Sequence, residues 1–263
     1  MHQAKVKFSG STQFDEIVVD FSDEIKWNGA AYNHQDIVWQ PPVSGTIYGT
    51  LFNFQGQLDL MKDALHEKPY NAPPKKPIMY IKPGNTINSH NGPVAIPEGE
   101  KEVQVGAALG IVIGKTATNV TQDNVTDYIS GYTIVNDVSI PHDSFYRPDI
   151  KNKVRDGFCP VGPWVIDRNA VDDPNNLSIR VHVNGEIVQE NNTNNLVRSV
   201  SELVSEVTDF MTLYEGDVLM VGVPEKAPIV KHGDMVRIEI EGVGFLENTF
   251  IDEQEFVPGG GLK

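Results

Sequence analysis

Short apolar runs that alternate with polar residues, broken at close intervals by turn residues, dominate this chain and predict strands far more often than helices. Lys5-Val6-Lys7-Phe8, Glu16-Ile17-Val18-Val19-Asp20 and Asp36-Ile37-Val38-Trp39 have this pattern, and Gln40-Pro41-Pro42 closes the series. Residues 1–44 therefore read as a small β-rich amino-terminal appendage, and 45–263 as the main domain. Further strands are predicted at Ile78-Met79-Tyr80-Ile81, over Leu109 to Lys115 and at Tyr132-Thr133-Ile134-Val135. Asn184-Gly185, set between Ile179-Arg180-Val181-His182-Val183 and Glu186-Ile187-Val188, is the strongest short hairpin signal in the chain. Val218 to Gly222 and Met235 to Ile240 complete the set, with a turn at His232-Gly233-Asp234.

Helical spacing is confined to three places. Leu58, Met61 and Leu65 share one face of Gln57 to Leu65, and Thr121 is placed to cap a short helix reaching Tyr128. The most amphipathic stretch begins after Asn195, the predicted cap: Leu196, Val197, Val200, Leu203, Val204, Val207 and Met211 form one stripe, opposite Arg198, Ser201, Glu202, Ser205, Glu206 and Asp209. The fold class is α+β and predominantly β.

Composition narrows the function without naming it. A chain of 263 residues with 40% hydrophobic content can bury a full core. A formal net charge of −15 argues against nucleic-acid binding, which needs a basic surface to displace counterions. No apolar run reaches the ~20 residues of a membrane span, and Met1 to Asp20 lacks the pattern of a signal peptide, so a cytoplasmic location with no membrane partner is expected. The single cysteine, Cys159, excludes an internal disulfide and reads as a packed, inert thiol.

Five ordered blocks carry more specific information: Lys82-Pro83-Gly84-Asn85-Thr86, Val112-Ile113-Gly114-Lys115, Gly131 to Asp137, Lys153 to Pro163 and Glu241 to Asn248. Together they resemble the fumarylacetoacetate hydrolase family over roughly residues 45 to 255. Lys68 to Lys75, Gly114 to Thr118 and Ser144 to Pro148 add a likeness to the amino-terminal halves of its two-part isomerase/decarboxylases. The resemblance implies a mixed β-sheet roll with a few flanking helices. It also implies a divalent cation, Mg²⁺ or Mn²⁺, held by a Glu-x-Glu pair and a later Asp, which grips a 2-oxo acid or its enol.

This chain departs from that pattern twice. Asp137 matches the later Asp, but Gly106 and Ala108 stand where the two Glu are expected, and one carboxylate holds a hard cation weakly. Asp137 at a strand end can equally cap a turn. Glu98, Glu100 and Glu102 lie upstream and read as a solvated acidic turn. The family's His and Glu proton-transfer dyad is replaced by Gln57 and Leu60, neither of which can serve as a base; Asp59, next in line, points about 100° away on a helix. Val223 stands where many relatives have a Thr hydroxyl.

Cationic residues are retained. Arg147, Lys151, Lys153 and Arg155 place four of 21 cations within nine residues of an acidic protein. Lys82 and Lys153 are the candidate catalytic residues, and Arg147, Lys82 and Lys153 the candidate substrate-binding residues. Lys151 and Arg155 read equally well as an exposed basic face paired with Asp149 and Asp156. His90 and His142 are nearby titratable groups that read as solvated loop residues.

Three functions follow. The first is an isomerase/decarboxylase subunit of aromatic catabolism that acts through an enolate on 5-oxopent-3-ene-1,2,5-tricarboxylate or 2-hydroxyhepta-2,4-diene-1,7-dioate. The second is a non-catalytic subunit that pairs with a metal-binding paralogue. The third is a metal-dependent C–C hydrolase or oxaloacetate decarboxylase. The expected partners are a small anionic 2-oxo or enol carboxylate and a second chain, in a homodimer or with a paralogue.

Overall fold

The computed structural model describes residues 1–22, 24–142, 145–146, 149–257 and 261–262. Among these, strands outnumber helices, as the alternating pattern demands, and two sheets organise them. The large sheet runs, neighbour to neighbour, through Ala30–Asn33, Glu24–Trp27, Asp15–Val19, His2–Phe8, Cys159–Asp167, Ile129–Asn136, Ala107–Ile113, Val218–Met220, Ile47–Leu51 and Ile78–Lys82. The smaller sheet orders Glu186–Asn192, Ser178–Val183, Met235–Ile240, Gly244–Asp252 and Val94–Ile96. Most neighbours are antiparallel, but Val218–Met220 pairs with Ile47–Leu51, and Gly244–Asp252 with Val94–Ile96, in parallel. The result is the mixed, predominantly β architecture with few helices that the resemblance implies.

The amino-terminal strands continue the large sheet. His2–Phe8 pairs with Cys159–Asp167 in the register Ala4 to Ile166 and Val6 to Trp164. Trp39, Trp164, Phe245 and the rings of His34 and His90 pack edge to face where this segment meets the rest of the chain.

The strand Ala107–Ile113 is buried on both faces, and its alternation sorts two apolar layers. Ala107, Leu109, Ile111 and Ile113 enter the main core. Ala108 and Val112 enter a second layer with Ile47, Val135, Cys159, Val161 and Met220, against which Tyr80 and Val223 pack.

The helices differ in detail from the sequence pattern. The amphipathic stretch is helical only over Val200–Thr208, because Ser199 rather than Asn195 caps it: Ser199 Oγ accepts from the Glu202 N–H, and the Glu202 carboxylate accepts from the Ser199 N–H. Leu196 instead lies in an isolated bridge with Phe54. Gln57 to Leu65 splits into a helix, Gln55–Leu60, and a 3₁₀ turn, Ala64–His66. Thr121 does precede a helical segment, Gln122–Tyr128, but it is 3₁₀ and receives no cap from the Thr121 side chain. The Asn184-Gly185 hairpin forms as predicted, both residues at positive φ. Among the described residues no helix is long and apolar enough to cross a membrane.

Candidate active site

The strand Ile129–Asn136 ends one residue before Asp137, so this carboxylate emerges at a strand end. Asp137 N–H donates to Gly106 O at 2.8 Å, and Gly106 N–H donates to Asn136 Oδ1 at 3.0 Å, which ties the start of the next strand to it. Two ammonium groups take its oxygens: Lys82 Nζ lies 3.0 Å from Oδ1 and Lys153 Nζ 2.9 Å from Oδ2. The Tyr80 hydroxyl donates to Oδ2 at 2.5 Å. Gly49 makes room for that ring, since a Cβ there would fall 2.0 Å from Tyr80 Cζ.

Burial opposes ionisation of Asp137, yet the Lys153 and Lys82 charges outweigh it and hold the carboxyl well below the usual carboxylate range. Tyr80 is raised well above the ordinary phenol value, by burial first and by the Asp137 charge second. Burial also pushes the Cys159 thiol up to about 12, so it stays a thiol.

The two lysines have different duties. Lys82 is fully buried; it is ion-paired with Asp137 and donates to Val138 O at 3.1 Å and Lys153 O at 2.6 Å. Two of its N–H groups go to backbone carbonyls, and its contact with Asp137 Oδ1 is an ion pair without a hydrogen bond. Lys153, 13% exposed at its side chain, sits 4.9 Å from the Tyr80 ring centroid and lines the cavity above.

That cavity, of about 170 Å³, has Asp137, Tyr80, Lys153 and Gly106 among its lining, together with Gln57, Leu60, Val223, Glu225 and Lys226. The structure thus brings Lys82, Asp137 and Lys153 together and sets Gln57 and Leu60 into the same wall. Arg147 lies outside the described residues. His142 lines the cavity, with Nδ1 2.9 Å from Ile140 O. His90 is not solvated: it is buried among aromatic rings, where desolvation and neighbouring charges lower its pKa to about 3. Asp59 is bonded by Gln55 on the exposed helix face. Of the local basic cluster, Arg155 donates to Lys151 O, while Asp149 caps the helix Ile150–Lys153 and Asp156 accepts from Asn85.

The family's divalent cation does not fit these residues. Both Asp137 oxygens are engaged by ammonium groups. A Cβ on Gly106 would stand 2.4 Å from Asp137 O, and Ala108 faces the apolar second layer. Glu98 and Glu100 lie in the exposed turn expected of them, whereas Glu102, also exposed, opens the strand Glu102–Gln104, which pairs with Ile229–Lys231. Two other groups of potential metal ligands occur among the described residues, His34 with His90 and Glu247, and His232 with Asp252 and Glu255; neither includes Asp137.

Glu225 and Lys226 were not singled out by sequence reasoning. The only signal was position: they follow Gly222-Val223-Pro224, whose Val223 already marked this loop as part of the pocket.

The family pattern described as Fumarylacetoacetate (FAA) hydrolase C-terminal matches residues 46–251. The chain is 42% identical over 213 residues to the 4-hydroxyphenylacetate degradation bifunctional isomerase/decarboxylase of Escherichia coli, covering 81% of this chain and 48% of that protein. It thus spans about half the length of this relative and of two further isomerase/decarboxylases that it matches at 40–41% identity. Two crystal structures share its fold over 96% of this chain and 99% of theirs: 5-carboxymethyl-2-hydroxymuconate delta-isomerase from Mycobacterium smegmatis, at TM-score 0.76 and 27% identity, and 2-hydroxyhepta-2,4-diene-1,7-dioate isomerase from Mycobacterium marinum, at 0.73 and 26%. The chain belongs to the fumarylacetoacetate hydrolase family.

Proposed function

We propose that this chain is an isomerase/decarboxylase subunit that handles a small 2-oxo or enol dicarboxylate without a bound divalent cation. The observation that carries this reading is the Lys153 ammonium, fixed at the cavity floor between Asp137 and Tyr80. Isomerisation of 2-hydroxyhepta-2,4-diene-1,7-dioate and decarboxylation of 5-oxopent-3-ene-1,2,5-tricarboxylate both pass through an enolate. A pre-positioned cation in a site screened from water stabilises such an oxyanion by about 3–4 kcal/mol. Lys82 contributes indirectly: with Lys153 it keeps Asp137 ionised, and Asp137 in turn anchors Lys153 over the cavity.

The chain's purified form should convert the dienedioate or the tricarboxylate at a rate that chelator does not change. Lys153→Met should lower kcat at least 100-fold. A rate that requires added Mg²⁺ or Mn²⁺ would refute the cation-free reading.

A second reading draws on the four replaced positions, Gly106, Ala108, Gln57 and Leu60. Here the chain keeps the fold and interface while a paralogue with an intact Glu-x-Glu pair performs the chemistry. No turnover alone, with turnover on mixing the two chains, distinguishes it. A metal-dependent C–C hydrolase or oxaloacetate decarboxylase is disfavoured, because the water-orienting dyad and the metal ligands are both replaced. The active assembly is proposed to be a homodimer or a pair with such a paralogue.

A further inference from the structure

Isomerisation needs a group that moves a proton to or from carbon, and the cluster of Asp137, Lys82 and Tyr80 offers none. Asp137 is held ionised against two ammonium groups, Lys82 is fully buried and donates to two backbone carbonyls, and Tyr80 keeps its proton well above the ordinary phenol range. Gln57 and Leu60 have no acid–base chemistry. Glu225, in the same lining, is different.

Glu225 lines the cavity, and its carboxylate is firmly placed. Oε1 accepts from Asn191 Nδ2 at 3.1 Å, and the Glu225 carbonyl accepts from Gln189 Nε2 at 2.7 Å. Gln189 and Asn191 are two apart on the strand Glu186–Asn192 and so reach from one face of it. The carboxyl carbon lies 2.1 Å from where a Cβ on Gly56 would stand, so only glycine leaves room for it. Oε2 is shielded from solvent and has no hydrogen-bond partner among the described residues.

A buried acceptor oxygen without a donor is a costly arrangement that structures keep where a ligand or a reaction uses it. Backbone conformation agrees. Lys226, next in the chain, has φ +56°, and Phe52, on the same cavity wall, has φ +57°. Bulky residues rarely adopt such angles, and strain of this kind collects at functional sites.

We infer that Glu225 is the proton carrier of this cavity, working in the same cavity as Lys153 on the proposed 2-oxo acid substrate. The inference rests on the isomerase reading above. Glu225 Oε2 accepts the proton of the enol O–H and passes it to the distal carbon of the dienol. The pair of the carbon–carbon double bond forms the new C–H bond, the remaining double bond shifts, and the enol oxygen becomes the ketone. The enol proton is thus the one that reaches carbon, and Glu225 returns to the carboxylate. No other reactant enters.

The test uses the whole chain, with 2-hydroxyhepta-2,4-diene-1,7-dioate in H₂O and in D₂O. Glu225→Gln keeps the shape and an acceptor for Asn191; it should lower kcat about 100-fold or more and shift KM less than threefold, with thermal unfolding unchanged. Glu225→Ala should regain part of its rate on addition of formate, a rescue that a merely structural role would not allow. Turnover by the native chain with Glu225→Gln as fast, or with no formate rescue, overturns the inference and leaves the proposed function standing. No turnover of the dienedioate by the native chain overturns the isomerase reading, and the inference with it.

Discussion

Two buried polar clusters carry groups that bind metals in other settings, and they behave in opposite ways. Beneath the cavity, Asp137 meets Lys82 and Lys153 as a fully charged cluster. At the junction with the amino-terminal strands, His34 and His90 form a ring-to-ring hydrogen bond at 3.1 Å, with the Glu247 N–H donating to His90 Nδ1 at 3.0 Å. With Nδ1 used as an acceptor, neutral His90 carries its proton on Nε2 and donates it to His34 Nδ1. Neither histidine nitrogen between the rings is then free for a cation. Hydrogen-bond direction, more than residue type, decides what a cluster can do. The charged cluster lines a cavity; the histidine pair is buried among aromatic rings.

Removing the central charge gives the largest expected effect. Asp137→Ala would leave two buried ammonium groups without a counter-ion, and losing one partner of a buried pair costs about 3–5 kcal/mol. Denaturant unfolding should show that loss at neutral pH. A change under 1 kcal/mol would mean that the cluster is far more hydrated than its burial implies.

Restoring a family carboxylate should cost less and return no metal site. Gly106→Glu must push its Cβ against Asp137 O, now 2.4 Å from that position, and overpacking of this kind costs about 1–3 kcal/mol. Titration calorimetry with Mn²⁺ should show no binding, because the ammonium groups still hold both Asp137 oxygens. Tight stoichiometric Mn²⁺ in this variant would show that a single ligand was all the cluster lacked.

Much of this arrangement was legible in the sequence. Alternation and the Asn-Gly turn reveal the strands because they report local geometry, and the family blocks place Asp137, Lys82 and Lys153 because each lies inside a motif. The boundaries of the amphipathic helix were harder, although Ser199-x-x-Glu202 was present as a capping box. Glu225 and the histidine pair were not legible. Glu225 gains its meaning from Gly56, Gln189 and Asn191, and His34 meets His90 across 56 positions, so only the folded chain brings these partners together.

The smallest expected effect separates the clusters by pH. His90 has its pKa lowered from 6.5 to about 3, mainly by desolvation, with His34 and Arg237 adding to it. Below pH 6.5 the unfolded chain takes up a proton at this histidine that the folded chain refuses until about pH 3. Stability from His90 is therefore full above pH 6.5 and falls by about 1.4 kcal/mol per pH unit beneath it. Asp137 also has a depressed value, so its contribution is likewise present at high pH, but it is lost only below about pH 4, where the unfolded carboxyl begins to protonate. Between pH 6.5 and 4.5, His90→Asn should flatten the stability curve by about one proton, whereas Asp137→Asn should lower the curve without changing its slope. Urea unfolding across that range checks both. An unchanged slope in His90→Asn would show that the histidine pair is open to protons, and the contrast between a sealed and an accessible cluster would fail.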